Sequence, residues 1–320
     1  MSVQHLVSSD LPSRRARMGD AMFAAAAASS GVFVLALLGA IIIVLFIGSL
    51  PAFRAFGAAF LVSPTWNPVK QVFGGAVPIY GTVVSSVLAL ILAVPLSFGI
   101  AFYLTELAPV WIRYPIGTAI ELLAAIPSII YGMWGFFVIV PIMAQYVQPA
   151  IIGTVGDVPV LGDLFQGPPF GTGLATAAFI LAVMIIPFIA ATMRDVFLSV
   201  PVVYKESAYG VGCTTWEVMR SIVLPYTRVS VTGGIMLGLG RALGETMAVT
   251  FVIGNTNRIS PNLFANGNTI ASLVALEFPE SQAGSLKLSA LLALGFLLFV
   301  ISFAVLAISR LLLRPQRDVK

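Results

Sequence analysis

Charged side chains are scarce in this chain of 320 residues: Asp, Glu, Lys and Arg together make up 9% of it, whereas hydrophobic residues make up 59%. A soluble domain carries about 25% charged residues, so this chain has too few of them to cover itself with a polar surface. The composition therefore excludes a soluble globular protein. It indicates an integral membrane protein.

Cysteine and histidine are nearly absent, since the sequence contains one of each, Cys213 and His5. One cysteine cannot make a disulfide framework within the chain. The two residues are also too few to build a structural zinc site or to ligate a haem. The sequence therefore predicts no metal site and no bound cofactor.

A nucleotide-binding P-loop is also missing. That motif needs Gly-Lys-Ser/Thr, in which backbone amides and a lysine hold the phosphates, and no lysine of this chain follows a glycine. If ATP drives this protein, another chain must hydrolyse it. The net charge of +4 does not indicate nucleic-acid binding either, because the basic residues flank apolar segments instead of forming a patch.

Long hydrophobic runs, in contrast, are abundant. A helix needs about 20 mostly apolar residues to cross a bilayer. Six windows pass this test: residues 24–50, 81–104, 115–145, 172–193, 229–254 and 288–312. The third contains Pro127 and Pro141, which predict a kink or a tilt. The sequence thus predicts an all-α membrane protein with six transmembrane helices.

Basic residues are divided unequally between the two sides of the predicted membrane. Twelve lie on one side: Arg14, Arg15, Arg17, Arg113, Arg194, Lys205, Arg220, Arg228, Arg310, Arg314, Arg317 and Lys320. Four lie on the other side: Arg54, Lys70, Arg258 and Lys287. Because cytoplasmic loops carry the excess of Lys and Arg, this division predicts that both termini are cytoplasmic.

The predicted spans divide the chain into a cytoplasmic tail over residues 1–23, a transmembrane domain over 24–313 and a cytoplasmic tail over 314–320. The first apolar run is about 27 residues long, too long for the apolar part of a signal peptide, and no clear cleavage site follows it. We therefore expect an uncleaved first helix. The outer loops are large enough to seat a partner protein, and the last of them predicts a short amphipathic helix around 269–278.

The predicted cytoplasmic loop 194–228 has the pattern of two short helices. Glu206 and nearby aromatic residues recur at helical spacing, glycines interrupt the pattern at 210 and 212, and a second helix is predicted over 214–223. Pro225 is then expected to restart the chain into the fifth span. On pattern alone, an ordinary amphipathic connector on the membrane surface explains the loop equally well.

The same loop resembles the cytoplasmic signature of ABC-importer permeases, which reads Glu-Ala-Ala, three residues, Gly, nine residues, Ile, one residue, Leu-Pro. The matching positions keep every spacing: Glu206, Ser207, Ala208, Gly212, Ile222, Leu224 and Pro225. The single departure is Ser207 in place of the first Ala. In that family the loop docks in a cleft of the ATPase subunit, so the resemblance implies a coupling role for these residues.

Three further stretches resemble the PstC-type permeases of bacterial high-affinity phosphate importers: TWNPVKQVFGG at 65–75, ELLAAIPSIIYGMWG at 121–135 and GLGRALGETMAVTFVIGNT at 238–256. The resemblance implies a type I ABC-importer fold in the bacterial cytoplasmic membrane. It also implies a heterodimer with a second, related permease, two ATPase subunits and an extracytoplasmic phosphate-binding protein.

Arg241 and Glu245 lie inside the fifth predicted span, where each charge costs at least about 2.5–3.5 kcal/mol on insertion scales. On one continuous helix, residues four apart share a face, so the two side chains are predicted to meet. One interpretation is an internal ion pair that serves only packing. The other is a pathway in which the guanidinium binds two oxygens of a tetrahedral anion and the carboxylate accepts a proton of hydrogen phosphate. The resemblance to the phosphate permeases implies the second.

Three rival functions remain open at this point. A permease for phosphonate, sulfate or molybdate would share the coupling signature. A secondary transporter could use Glu245 as a proton relay, but it would have no use for that signature. A membrane anchor that recruits an enzyme would explain the inner loop and leave the charges within the span unexplained.

Overall fold

The computed structural model describes residues 14–156, 158–159 and 162–312. Within them, six helical segments are long and apolar enough to cross a membrane, as the sequence predicts. They are Gly19–Phe56, Ala76–Leu107, Ser128–Val155, Leu174–Leu198, Thr215–Leu243 and Leu286–Leu311.

Helices make up most of the described chain. In chain order they are α1 (Arg14–Phe56), α2 (Ala59–Val62), α3 (Ala76–Phe102), α4 (Val110–Ala124), α5 (Ser128–Trp134), α6 (Val140–Ile142), α7 (Gln148–Val155), α8 (Leu174–Leu198), α9 (Val202–Gly210), α10 (Thr215–Val218), α11 (Leu224–Leu243), α12 (Met247–Val252), α13 (Ile270–Glu277) and α14 (Leu286–Leu312). π-helical turns widen the helices at Tyr103–Leu107, Gly135–Ile139, Met143–Val147 and Met219–Val223, and a 3₁₀ turn covers Gly162–Leu164. Two short antiparallel strands, β1 (Trp66–Asn67) and β2 (Val72–Phe73), form a hairpin in the first outer loop.

The chain divides into two compact units, Met1–Gly48 and Ser49–Lys320. The described part of the first unit is the long apolar stretch of α1, whose side chains are exposed along almost its whole length. A helix that is apolar on all faces is suited to contact lipid. The second unit contains every feature described below.

The centre of the second unit is formed by α3 and α8, which pack closely along their length. Small buried residues such as Ala89 and Ala93 let the two helices approach each other. The Ser97 hydroxyl on α3 donates a hydrogen bond to the Ile186 carbonyl on α8 at 3.1 Å. The buried side chains of α11 and α12 complete the same core.

The third span begins later than the sequence suggested. The window 115–145 was predicted as one kinked helix, but α4 ends at Ala124 and helical geometry resumes at Ser128. Between them, Pro127 has an extended backbone, with φ −57° and ψ 135°. Proline disfavours the helical conformation in the residue before it, so here it ends a helix instead of bending one. The spanning segment that follows is Ser128–Val155.

The fifth span is also displaced, because it covers Thr215–Leu243 instead of the predicted 229–254. The expected restart at Pro225 does not occur, since α10 continues through the last π-helical turn into α11. There the Leu224 N–H donates to the carbonyl of Met219, five residues back. This wider register relieves the clash between a proline ring and the preceding turn, so the helix accommodates Pro225 without a break.

A buried polar cluster fixes the segment between α12 and α13 on α3. The Thr82 hydroxyl accepts a hydrogen bond from the Ile270 N–H at 2.9 Å, at the first residue of α13. The Asn268 side chain accepts from the Ser272 hydroxyl at 2.5 Å and donates to the Asn257 side chain at 3.1 Å. The cluster therefore holds α13, which confirms the short helix predicted around 269–278, against the outer end of α3.

Gly81 lets the backbone of Asn268 lie close to α3. We therefore expect Gly81→Ala to destabilise the protein. A Cβ at this position would lie 2.0 Å from the Asn268 carbonyl oxygen, which belongs to the backbone and cannot rotate away. Overpacking of this kind costs about 1–3 kcal/mol of unfolding free energy. The measurement is the thermal unfolding of the purified protein in detergent. Gly99→Ala on the same helix is the control, because no atom lies within 4 Å of its added Cβ, and equal melting temperatures for the two variants would contradict this account.

Candidate functional site

The helix that carries Arg241 ends before it reaches Glu245. α11 stops at Leu243, and Gly244 follows with φ −91° and ψ 0°. Glu245 lies in the break, where its Oε1 accepts a hydrogen bond at 3.2 Å from the N–H of Ala248, in the first turn of α12. The carboxylate is thus held at the amino end of α12, where backbone N–H groups lack helical partners and a negative charge is favoured.

The predicted contact between Arg241 and Glu245 is therefore wrong for this conformation. The spacing of four residues brings side chains together only on a continuous helix, and the break at Gly244 removes that condition. Among the described residues, no ion pair joins the two side chains. The site consequently contains an arginine that its expected carboxylate does not neutralise.

Arg241 instead faces α4 and α8. Its Nη1 donates to the carbonyl oxygen of Ala124 at 3.5 Å, and its Cζ lies 5.9 Å from the centroid of the Phe188 ring. Ala124 is the last residue of α4, whose terminal carbonyls lack helical partners and favour a nearby cation. Within the described part of the chain, the remaining guanidinium N–H groups have no hydrogen-bond acceptor. They can therefore donate to the oxygens of an anion.

Tyr131 stabilises the same helix end. Its hydroxyl donates to the carbonyl oxygen of Leu123 at 2.9 Å, next to the carbonyl that Arg241 contacts. Tyr131 lies on α5, so this hydrogen bond joins α5 to the end of α4 across the break at Pro127. It therefore helps to fix the helix end that Arg241 contacts.

An open cavity of about 460 Å³ lies between α4 and α8. Its lining residues are Glu121, Ala124, Phe188, Ala191, Thr192, Asp195, Val196 and Ser199. Both residues that contact Arg241, Ala124 and Phe188, belong to this lining. The charged residues of this lining, Glu121 and Asp195, are both acidic, so the cavity itself does not favour an anion.

The other end of this cavity carries an ion-pair network that sequence reasoning did not find. Nη2 of Arg194 lies 2.5 Å from Oε1 of Glu121 and 2.9 Å from Oδ1 of Asp195. Gly117 leaves the space for this guanidinium, because a Cβ there would overlap its Nη1. Glu121 on α4 thus pairs with Arg194 on α8, and only the packing of α4 on α8 brings the two together.

The seven residues of the coupling signature divide into two groups. Ala208, Ile222 and Leu224 pack into the main core, Ala208 with 7% of its surface exposed. The other four are exposed: Glu206, Ser207, Gly212 and Pro225. The first group fixes the loop 194–228 on the membrane domain. The second group leaves Glu206 and Ser207 on an exposed face of α9.

Gly212 makes the turn between α9 and α10. Its φ is +93°, in the left-handed region that favours glycine, and no atom would contact an added Cβ. A capping box at Thr214 then starts α10. The Thr214 hydroxyl accepts a hydrogen bond from the Glu217 N–H, and the Glu217 carboxylate accepts one from the Thr214 N–H. Beside this turn lies an open groove of about 640 Å³. Its lining residues include Tyr204, Ser207, Ile222 and Tyr226.

Comparison with known proteins identifies the family of this chain. Residues 93–317 match the family described as binding-protein-dependent transport system inner membrane component. The chain belongs to this family. It is 56% identical over 96% of its length to the phosphate transport system permease protein PstC of Mesorhizobium japonicum, of which the match covers 93%. It is also 59% identical to PstC of Pasteurella multocida over 88% of each chain.

A solved structure agrees on the fold. A chain of a bacterial alginate ABC transporter, crystallised with its alginate-bound periplasmic protein, superposes with a TM-score of 0.61. The match covers 94% of this chain and 97% of that one, at 15% identity. The type I ABC-importer permease fold is thereby confirmed. The chain is a multi-pass protein of the inner membrane, and its family implies a partner ATPase and a substrate-binding protein.

Proposed function

We infer that this chain is the transmembrane permease subunit of an ATP-driven importer of inorganic phosphate. The observation that carries the inference is the identity of 56–59% to phosphate transport system permeases over nearly the whole chain. These relatives favour phosphate over phosphonate, sulfate or molybdate as the substrate. ATP hydrolysis belongs to a separate subunit, which agrees with the absence of a P-loop from the sequence.

We propose that Arg241 binds the phosphate anion within the membrane. Its guanidinium offers a planar fork of N–H donors, and this geometry suits two oxygens of a tetrahedral anion. Two observations support the assignment: the free donors of Arg241 and its position at the break between α11 and α12.

Glu245 is proposed to act on the proton-bearing side of the same anion. Hydrogen phosphate carries a proton that a carboxylate can accept in a hydrogen bond, whereas sulfate at neutral pH carries none. A carboxylate near the bound anion would therefore disfavour sulfate more than phosphate. The hydrogen bond between Glu245 and Ala248 keeps the carboxylate from masking Arg241 in the present conformation.

The inner loop is proposed to couple the permease to its ATPase through the exposed face of α9. Glu206 can pair with a basic groove on the ATPase, and the turn at Gly212 lets α9 project from the membrane domain as a short rigid element. By the resemblance, the complete transporter contains a second, related permease, two ATPase subunits and an extracytoplasmic phosphate-binding protein. Large apolar side chains exposed on α4 and its neighbours are consistent with burial against such a partner or in lipid, among them Trp111, Tyr114 and Phe137.

Uptake of radiolabelled phosphate tests the substrate assignment. In cells that lack their own phosphate importer, the complete transporter with this chain should restore ATP-dependent phosphate uptake. A tenfold excess of sulfate should leave that uptake unchanged, while a tenfold excess of unlabelled phosphate should suppress it. Restored uptake of sulfate without uptake of phosphate would support the rival oxyanion permease instead.

The topology is a separate prediction, because it rests on the distribution of basic residues. We expect both the tail 1–23 and the tail 314–320 to be cytoplasmic, since cytoplasmic loops carry the excess of Lys and Arg. An enzyme reporter that is active only outside the cytoplasm should therefore stay silent when fused after Lys320. The same reporter inserted at Val69, at the tip of the β1–β2 hairpin, should be active. An active reporter after Lys320 together with a silent one at Val69 would show that the topology is the opposite of the predicted one.

A further inference from the structure

A buried ion pair joins the coupling helix α9 to the inner end of the second span. Nζ of Lys205 lies 2.6 Å from Oε1 of Glu106, and the two side chains keep only 14% and 8% of their surface exposed. Glu106 lies in the π-helical turn that extends α3. Neither residue belongs to the coupling signature or to the candidate phosphate site.

Lys205 makes a second contact, with the fourth span. Its Nζ also donates to the carbonyl oxygen of Phe197 at 3.4 Å, in the last turn of α8. One ammonium group thus connects α9 to α3 and α8, the two helices whose packing forms the centre of the core. α8 also carries Phe188, the ring that faces Arg241. The ammonium therefore links the coupling surface to the helices around the candidate phosphate site.

Aromatic ring contacts also join α10 to α3 and α3 to α8. The Trp216 ring, on α10, meets Phe98 and Phe102 of α3 edge to face at centroid distances of 6.3 and 5.9 Å. Phe98 in turn meets Phe197 of α8 at 6.0 Å. Ring contacts of this kind have little preference for direction along the surface, and half of the Trp216 surface stays exposed. The Lys205–Glu106 pair is shielded from water, so it is stronger than an ion pair in water and fixes the distance between the two elements.

We propose that the Lys205–Glu106 pair transmits movement of α9 to the second and fourth spans. The proposal rests on the proposed function as an ATP-driven permease. A buried ion pair is weak evidence for a stabilising role, because two apolar residues of similar volume often stabilise as well or better. The pair supplies instead a short polar link that resists both separation and sliding. Lys205 and Glu106 are therefore positioning residues for coupling, and they do not touch the substrate.

The test compares single, neutral and reversed versions of the pair in the reconstituted complete transporter. The variants are Lys205→Met, Glu106→Gln, the neutral double variant Lys205→Met/Glu106→Met and the charge swap Lys205→Glu/Glu106→Lys. Two quantities are measured: the stimulation of ATP hydrolysis by the loaded extracytoplasmic binding protein, and phosphate uptake per ATP hydrolysed. We expect Lys205→Met to assemble and to keep basal ATP hydrolysis within twofold of wild type. Stimulation and uptake per ATP should fall at least tenfold, and the charge swap should recover at least half of each.

Lys287 and Glu277 provide the matched control, because they form another part-buried ion pair, at 2.5 Å, between the end of α13 and the start of α14. Lys287→Met should change neither quantity more than twofold. If Lys205→Met does not accumulate in the membrane, the neutral double variant decides. Assembly with uncoupled hydrolysis supports the proposal. Normal coupling, or failure of that variant to assemble as well, overturns it by reducing the pair to a folding role.

The outcome does not depend on the identity of the transported anion. Stimulation by the loaded binding protein measures coupling with whichever ligand that protein carries. If wild type shows stimulation but no phosphate uptake, the assigned substrate is wrong, while the stimulation of the Lys205 variants still supports or overturns the proposal. Equal stimulation of wild type and Lys205→Met would overturn it even if phosphate is the substrate.

Discussion

Arg241→Gln is expected to lower phosphate uptake by at least about 30-fold, because loss of one partner from a desolvated charge pair costs about 2 kcal/mol or more. Glutamine keeps part of the side-chain bulk and remains polar, so the packing around α4 should survive. The measurement is uptake of radiolabelled phosphate in cells that carry the variant as the only copy. Membrane levels are checked by immunoblot.

Arg258→Gln is the matched control for this prediction, because it removes the same charge from an exposed position in the last outer loop. It should keep uptake within about threefold of wild type, as surface charges contribute little. Arg241→Lys should give an intermediate value, since it keeps the charge and loses the planar fork. Near-normal uptake by Arg241→Gln would show that Arg241 only caps the end of α4 and does not bind phosphate.

Glu206→Lys is expected to disconnect the permease from its ATPase without removing it from the membrane. Glu206 is exposed on α9 and has no partner among the described residues, so the reversal should leave the fold intact. A lysine would repel a basic docking groove, and recovery of the ATPase with the purified permease should fall by about tenfold or more. The measurement is the amount of ATPase that copurifies in mild detergent.

Two controls separate docking from general effects of charge. Glu280→Lys makes the same reversal in an exposed outer loop and should leave copurification unchanged. Ser207→Ala restores the residue that the family signature has at this position and should leave both copurification and uptake unchanged. Full recovery of the ATPase with Glu206→Lys would contradict the proposed docking face.

The spans could be predicted from the sequence because lipid imposes a length and a composition on each helix. Their ends were less certain. Pro127 was expected to kink a helix and instead ends one, whereas Pro225 was expected to interrupt a helix and instead lies within a continuous one. The difference lies in the backbone around each proline: a π-helical turn absorbs Pro225, and no local pattern in the sequence predicts that turn.

The sequence singled out the residues of the candidate site but did not predict how they are arranged. A charge within an apolar span is a strong signal of function, and it pointed to Arg241 and Glu245. Their mutual contact was inferred from helical spacing, which the break at Gly244 invalidates. The partners of Arg241 and the ion pairs of Arg194 and Lys205 join residues far apart in the chain. Such pairs follow from the packing of the helices, which one sequence does not specify.

Phosphate uptake into proteoliposomes tests the central claim most directly. Vesicles contain the complete transporter with this chain, ATP or ADP at the side of the ATPase subunits, and the loaded phosphate-binding protein at the opposite side. We predict phosphate accumulation with ATP, none with ADP, and at least about 30-fold less with ATP when Arg241→Gln replaces the wild-type chain. Equal accumulation with ATP and ADP, or undiminished accumulation by Arg241→Gln, would contradict an ATP-driven phosphate pathway through this arginine.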